Sequence, residues 1–159
     1  RSPGAAGKLS YLAAKALGIR HSWVRILSVY GKGDGEGTLI SYLIRTLREG
    51  GVPELTPCEQ IWDYIYVGDA ARAPAAIADR GKDGKVYPLG GGCGRPLREY
   101  AEILRDAVAP GGEIRFGAKP YYPHQPMYLV ADIGELTADT GFAPEIPFAD
   151  GIRKILEIE

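Results

Sequence analysis

Apolar residues recur at helical spacing in some stretches of this chain and in short extended runs in others. Leu9, Leu12, Ala13 and Ala16 share one face of the run Ala5 to Leu17, which predicts a helix closed by Gly18. Trp23 to Leu27 reads as a strand. A glycine-rich loop then runs to Gly37, and Thr38 is placed to cap a helix from Leu39 to Glu49. Val52 to Thr56 and Ile61 to Val67 read as strands, and Asp69 as the N-cap of an alanine-rich helix from Ala70 to Asp79 that contains Pro74. Lys85 to Leu89 predicts a strand, Gly90 to Gly94 a loop, and Pro96 the opening of a helix from Leu97 to Val108. Glu113 to Phe116 reads as a strand and Met127 to Ala131 as extended. Asp132 precedes a short helix, Ile133 to Thr140, stopped by Gly141, and a last helix spans Phe148 to Ile158. Strands alternating with helices predict an α/β fold.

A length of 159 residues fits one domain or a piece of one, and 45% hydrophobic residues can build a core. The net charge is −1 with dispersed basic residues, which argues against a nucleic-acid partner. No apolar run approaches the roughly 20 residues of a membrane helix. Cys58 and Cys93 stand at no metal-ligand spacing, and both read as free thiols in a reducing, cytoplasmic setting. No methionine opens the chain, and Arg1-Ser2-Pro3-Gly4 runs abruptly into the first helix, as at the cut end of a longer protein.

Several motifs invite a chemical reading and fail it. The loop from Gly31 to Thr38 has its lysine too early for a phosphate loop, and Asp34 and Glu36 would repel phosphate. Gly90 to Gly94 lies between a strand and a helix, but Arg95 breaks the dinucleotide pattern. His21 and His124 have no partner at metal spacing, and no metal site is expected. No serine sits in a nucleophile elbow. Asp69 and Asp132, at element boundaries, suit capping. The loop Tyr121-Tyr122-Pro123-His124-Gln125-Pro126 offers flat faces and hydrogen-bonding groups for a base or sugar, or else packs as a surface crossover.

Two blocks carry a family resemblance: Val24-Arg25-Ile26-Leu27-Ser28-Val29-Tyr30-Gly31 and Gln60-Ile61-Trp62-Asp63-Tyr64-Ile65-Tyr66-Val67-Gly68-Asp69. They resemble the Arg-x-x-Asn-x-Tyr-Gly and Gln-x-Arg-Asp-Tyr/Phe-Ile-Tyr-Val-x-Asp motifs of the NAD-dependent epimerase/dehydratase family, the extended short-chain dehydrogenases. Thr38 to Leu47, Tyr87 to Gly90 with Leu97-Arg98-Glu99, Asp132 with Thr140 to Pro144, and Gly151-Ile152 follow in the family's order. The resemblance implies a C-terminal segment of a Rossmann-like enzyme over residues 1–159: the last sheet strands plus a small α/β substrate-binding lobe, with the dinucleotide-binding half absent.

It also implies NAD or NADP as cofactor, a nucleotide sugar or related carbohydrate as substrate, and isomerase or oxidoreductase chemistry. Ser28, Val29 and Tyr30 would lie near the nicotinamide, and Ser28, Thr38, Trp62, Tyr122 and Gln125 near the substrate. The family's diphosphate-holding asparagine is Ser28 here. Its phosphate-pairing arginine is Trp62, and an indole cannot make a two-pronged contact with phosphate. The family's late arginine and aspartate fall near Tyr122 and Gln125. No catalytic Tyr-x-x-x-Lys is recognised: four residues before Lys8 stands Gly4. The segment alone is therefore expected to be inactive, with the missing half or a homodimer partner as its complement. A non-catalytic carbohydrate- or nucleotide-binding module and one chain of a split enzyme remain as alternative readings.

Overall fold

The computed structural model describes residues 3–158. Arg1, Ser2 and Glu159 lie outside them, as does most of the abrupt start noted above. Helices α1 (Pro3–Ala16), α2 (Leu39–Arg48), α3 (Val67–Arg80), α4 (Leu97–Val108), α5 (Gly134–Thr140) and α6 (Phe148–Ile158) alternate with short strands. The strands are β1 (Trp23–Ile26), β2 (Val29–Tyr30), β3 (Ile61–Trp62), β4 (Ile65–Tyr66), β5 (Val86–Leu89), β6 (Arg95–Pro96) and β7 (Tyr128–Leu129). β1 pairs in parallel with β5, β2 in parallel with β4, and β3 lies between antiparallel β6 and parallel β7. The α/β expectation holds.

Two helices follow their sequence signals closely. The Thr38 side chain accepts a hydrogen bond from the Ser41 N–H at the start of α2. Helix α2 then buries Ile40, Leu43, Ile44 and Leu47, the i, i+3, i+4, i+7 face of an amphipathic helix. It ends on Gly50 at φ 70°, with the Gly51 N–H donating to the Thr46 carbonyl and the Gly50 N–H to that of Leu47, a double closure that requires the left-handed conformation. Helix α4 starts directly after Pro96 and buries Leu97, Tyr100, Ala101 and Leu104.

Helices α2, α4 and α6 pack together over one core, with Tyr30, Leu43, Leu104 and Ile152 at its centre. Tyr30, Tyr64, Tyr100 and Phe148 form an aromatic knot inside it, with ring centroids 4.7–5.9 Å apart along the contacting pairs. A second core joins α3 and α5 to one face of the β1–β5 pair through Ala73, Ile77, Tyr87, Leu89 and Leu136. Helix α1 lies over the opposite face, where Gly7 rides on the Trp23 ring. Its apolar stripe turns outward: Leu9 and Leu12 are 69% and 60% exposed. Ile26, at the end of β1, is also exposed, and β1 has no strand on its other side among the described residues.

Four expectations need correction. The stretch Ile61 to Val67 is two strands in two sheets, because the chain turns at Asp63 and Tyr64 to send the Asp63 side chain inward. Val52 to Thr56 and Glu113 to Phe116 form no strands. They meet at a single parallel bridge, Glu54 with Arg115, and Pro53 and Pro57 deny the first segment the donors a ladder needs. Helix α3 begins at Val67, so Asp69 lies in its first turn and does not cap it. Ile133, not Asp132, is the N-cap position of α5, and the Asp132 side chain accepts from the Gly134 N–H. Pro74 sits in the middle of α3, which continues past it because Ala73 and Ile77 are anchored in the second core.

Asp69 is architectural in another way. Fully buried, it accepts from the Glu145 and Ile146 N–H groups at 3.0 and 2.9 Å and from Arg72 at 2.7 Å, pinning the segment that leads into α6. Asp69→Ala would leave both backbone donors without their acceptor, and should lower unfolding free energy by about 3 kcal/mol, read from urea midpoints at constant m. At the far end of α5, Lys82 and the Tyr87 hydroxyl donate to Asp139 and hold its carboxyl below the usual carboxylate range. The depressed value means that Asp139 contributes stability above the ordinary carboxylate pKa and loses it as pH falls through the folded value. Thermal unfolding of Asp139→Asn should therefore match the parent in strong acid and fall below it at neutral pH.

Candidate functional site

The parallel strands β1, β2, β4 and β5 end on one side of the molecule, and the chain changes sheets there. After β1, the Leu27 N–H still donates to the Leu89 carbonyl at 2.8 Å. Ser28 then takes φ 31°, an uncommon value for a residue with a side chain, and its carbonyl accepts from the Ile65 N–H at 3.2 Å. Ser28 is thus the corner at which the chain leaves the β1–β5 pair and joins β4. The two sequence blocks singled out above meet at this corner.

Below it lies Asp63, with no exposed surface. One carboxylate oxygen, Oδ2, accepts from the Gly92 and Ala131 N–H groups at 3.0 Å each. Oδ1 is buried without a hydrogen-bond partner. Gly90 and Gly91 lie directly against the carboxylate. A Cβ on Gly90 would stand 2.6 Å from Oδ2, and one on Gly91 would stand 2.5 Å from both Oδ1 and the Tyr64 carbonyl oxygen. The glycines serve close approach to a protein carboxylate. Because Asp63 takes the Gly92 N–H and puts negative charge beneath the loop, Gly90 to Gly94 does not fit the pyrophosphate of a dinucleotide.

Ser28, Val29 and Tyr30 are consecutive at the corner, but their side chains part. Tyr30 is 1% exposed, and its hydroxyl donates to the Phe148 carbonyl at 3.1 Å. Burial drives its pKa, and that of Tyr64, well above the ordinary phenol value. Tyr30 supports the corner from below and presents no group to a ligand. Val29 packs against the second core, and Ser28 remains half-buried. Thr38 is occupied as the α2 cap.

Trp62 is half-buried against the first core, directly opposite Arg95 on the antiparallel strand. Its carbonyl, with that of Cys93, accepts from the Tyr100 hydroxyl. The Arg95 guanidinium lies 5.4 Å from the Tyr100 ring centre. The aromatic loop is tethered at one point, where the Glu59 N–H donates to the Tyr121 hydroxyl at 3.0 Å. Tyr122 projects outward at 77% exposure, and the Gln125 amide reaches only the neighbouring Pro126 carbonyl at 3.4 Å. The structure thus brings Ser28 and Val29 together at the strand ends, places Trp62 in the adjoining sheet, and leaves Tyr122 and Gln125 on an outlying loop.

The sequence reading above passes over one pattern. Tyr11 and Lys15 on α1 have the Tyr-x-x-x-Lys spacing. Tyr11, however, sits beside His21 and Gly84, at the end of the sheet where β1 and β5 begin, far along those strands from Ser28. It cannot serve chemistry at the strand ends. In the sequence Asp63 stands only as one residue of the Gln60 to Asp69 block. Its spacing to the glycine cluster across the fold carried no local signal.

The fold and the strand-end corner define a Rossmann-like α/β lobe. The model of the NAD dependent epimerase/dehydratase family matches residues 5–90, and the chain belongs to that family. It is 31% identical over 140 residues to the CDP-abequose synthase of Salmonella typhimurium, covering 84% of this chain and 46% of that protein. It is 31% identical over 127 residues to a dTDP-glucose 4,6-dehydratase of an Actinoplanes species, covering 79% and 39%. Among solved structures, a UDP-glucose 4-epimerase from Thermotoga maritima with UDP-glucose superposes with a TM-score of 0.84 at 20% identity, covering 96% of this chain and 50% of the other. At that identity the likeness concerns the fold. The chain spans about half the length of the relatives it matches.

The close approach of Gly91 to Asp63 can be tested directly. Gly91→Ala should cost about 2 kcal/mol through forced overpacking. Asp63→Ala should also destabilise, and the double variant should lose somewhat less than the sum of the two, because removing Oδ1 relieves one of the two close contacts and leaves the one with the Tyr64 carbonyl. Additive urea-unfolding energies would separate the two residues.

Proposed function

We propose that this chain is the substrate-binding side of an NAD(P)-dependent enzyme that epimerises, dehydrates or reduces the sugar of a nucleoside-diphosphate sugar. The observation that carries the reading is the corner itself. The two family motifs, more than thirty residues apart in sequence, are hydrogen-bonded to each other through Ser28 and Ile65 where parallel strands end. Ligands of open α/β sheets collect at such ends.

When bound, the nicotinamide would supply hydride chemistry at a carbon of the sugar: reversible removal and return for epimerisation or dehydration, and net donation for reduction. Its dinucleotide is held by a segment other than the residues described here, since the Gly90 loop is closed by Asp63. The open edge of β1 and the exposed Ile26 are where such a segment would add a strand. Support comes from the shared length: the chain corresponds to about half of its relatives. Ser28 offers the substrate one neutral hydroxyl at the corner. Trp62 offers an apolar face, and Tyr122 and Gln125 a ring and an amide from the outlying loop. Stacking and neutral hydrogen bonds replace charge pairing with the diphosphate.

Isothermal titration of the chain with CDP, dTDP and UDP tests this reading. We expect saturable binding of at least one nucleotide with weak salt dependence, because no ion pair dominates. No saturation with any of the three would remove the proposal. No turnover of CDP-, dTDP- or UDP-glucose with added NAD or NADP is expected from the chain alone, and measurable turnover would overturn the assignment of the reactive groups to another segment. Trp62→Arg should tighten nucleotide binding about tenfold and steepen its salt dependence by supplying a guanidinium. Unchanged affinity would place Trp62 away from the phosphates.

A further inference from the structure

We propose that a cavity between α1 and the β1–β5 pair binds a small organic anion with a flat apolar body, of the aromatic carboxylate class. The cavity measures about 190 Å³ and is lined by Gly7, Lys8, Tyr11, His21, Trp23 and Arg25, with Gly84 to Val86 at its far wall. It shares no residue with the strand-end corner. An apolar cavity of about 150 Å³ is enough to take a benzene ring.

The walls are fixed before any ligand arrives. The His21 and Trp23 rings lie nearly parallel, 20° apart with centroids at 6.4 Å, and Tyr11 meets His21 edge-on at 5.8 Å. His21 Nε2 shares a hydrogen bond with Ser10 Oγ at 2.9 Å, and the His21 N–H donates to Asp83 at 2.8 Å. Gly7 lets the helix sit on Trp23, since a Cβ there would be 3.0 Å from the indole. Such prior ordering lowers the entropic cost of binding.

The charge is one-sided. Three cationic side chains, Lys8, Arg25 and Lys85, line the cavity, and no carboxylate does. Lys85 is held by Glu135 at 2.9 Å. Lys8 and Arg25 have no ion pair or hydrogen bond among the described residues. A guanidinium without an ion-pair partner draws an anion toward the cavity mouth. Its planar fork matches a carboxylate.

The chain has two tryptophans, so Trp62→Phe leaves Trp23 as the single indole reporter. In that background, benzoate, benzamide and inorganic phosphate are titrated against Trp23 fluorescence. The expected result is a saturable change with benzoate only, weakened about tenfold by Arg25→Gln and to a lesser degree by Lys8→Gln, which alters an exposed helix position and leaves the fold intact. The change should also weaken as ionic strength rises. No saturation by benzoate overturns the proposal. So does benzamide or phosphate matching benzoate, or full affinity retained in both charge variants.

Discussion

One buried carboxylate organises the strand-end side of this protein. Asp63 gathers the turn between β3 and β4, the loop after β5 and the segment after β7 around one carboxylate oxygen, Oδ2. A charge taken out of water is costly, and donors that converge on it lower the cost. The arrangement therefore demands that three chain segments arrive together, and the glycines at 90 and 91 are what allow them to come close enough. Asp69 repeats the device six residues later, tying the start of α3 to the segment before α6. Two acids on one short stretch thus bind the two cores to each other.

The helices were legible because their signals are local. The Thr38 hydroxyl, the glycines at 50 and 51, and the spacing of Ile40, Leu43, Ile44 and Leu47 all lie within one or two turns of the element they define. The two longer strands, β1 and β5, were legible too, as Trp23 to Leu27 and Lys85 to Leu89. The other five have two residues each, too few to display an alternating period, and their pairing depends on partners far along the chain. The stretch from Ile61 to Val67 looked continuous because its apolar residues hide the inward turn of Asp63. The family order was legible because several weak motifs recur in sequence. The site was only partly so. Ser28 stands at the strand-end corner, while Val29 packs against the second core. Tyr30 belongs to the core, where its ring packs on Phe148 at 4.9 Å, a contact across more than a hundred residues that no pattern announces.

The two halves of the fold differ in how they are closed. The core under α2, α4 and α6 is closed by these helices together with strand and loop residues such as Tyr30, Leu55 and Cys58. The β1–β5 pair is covered on its faces but not along its edge, and α1 turns leucines outward. Stability is thus distributed unevenly. The helical half holds its apolar surface within itself, whereas the sheet half leaves hydrogen-bonding groups and apolar side chains unmatched.

That uncovered edge has a consequence for how the chain behaves in company. A bare strand invites another copy to pair with it, and repeated pairing leads to stacked sheets. Here the strand is four residues long and carries the Arg25 charge in its interior, so each copy that docked would bring like charges face to face. The short length and the repulsion act as a gatekeeper, holding the edge open for a different sequence while discouraging its own.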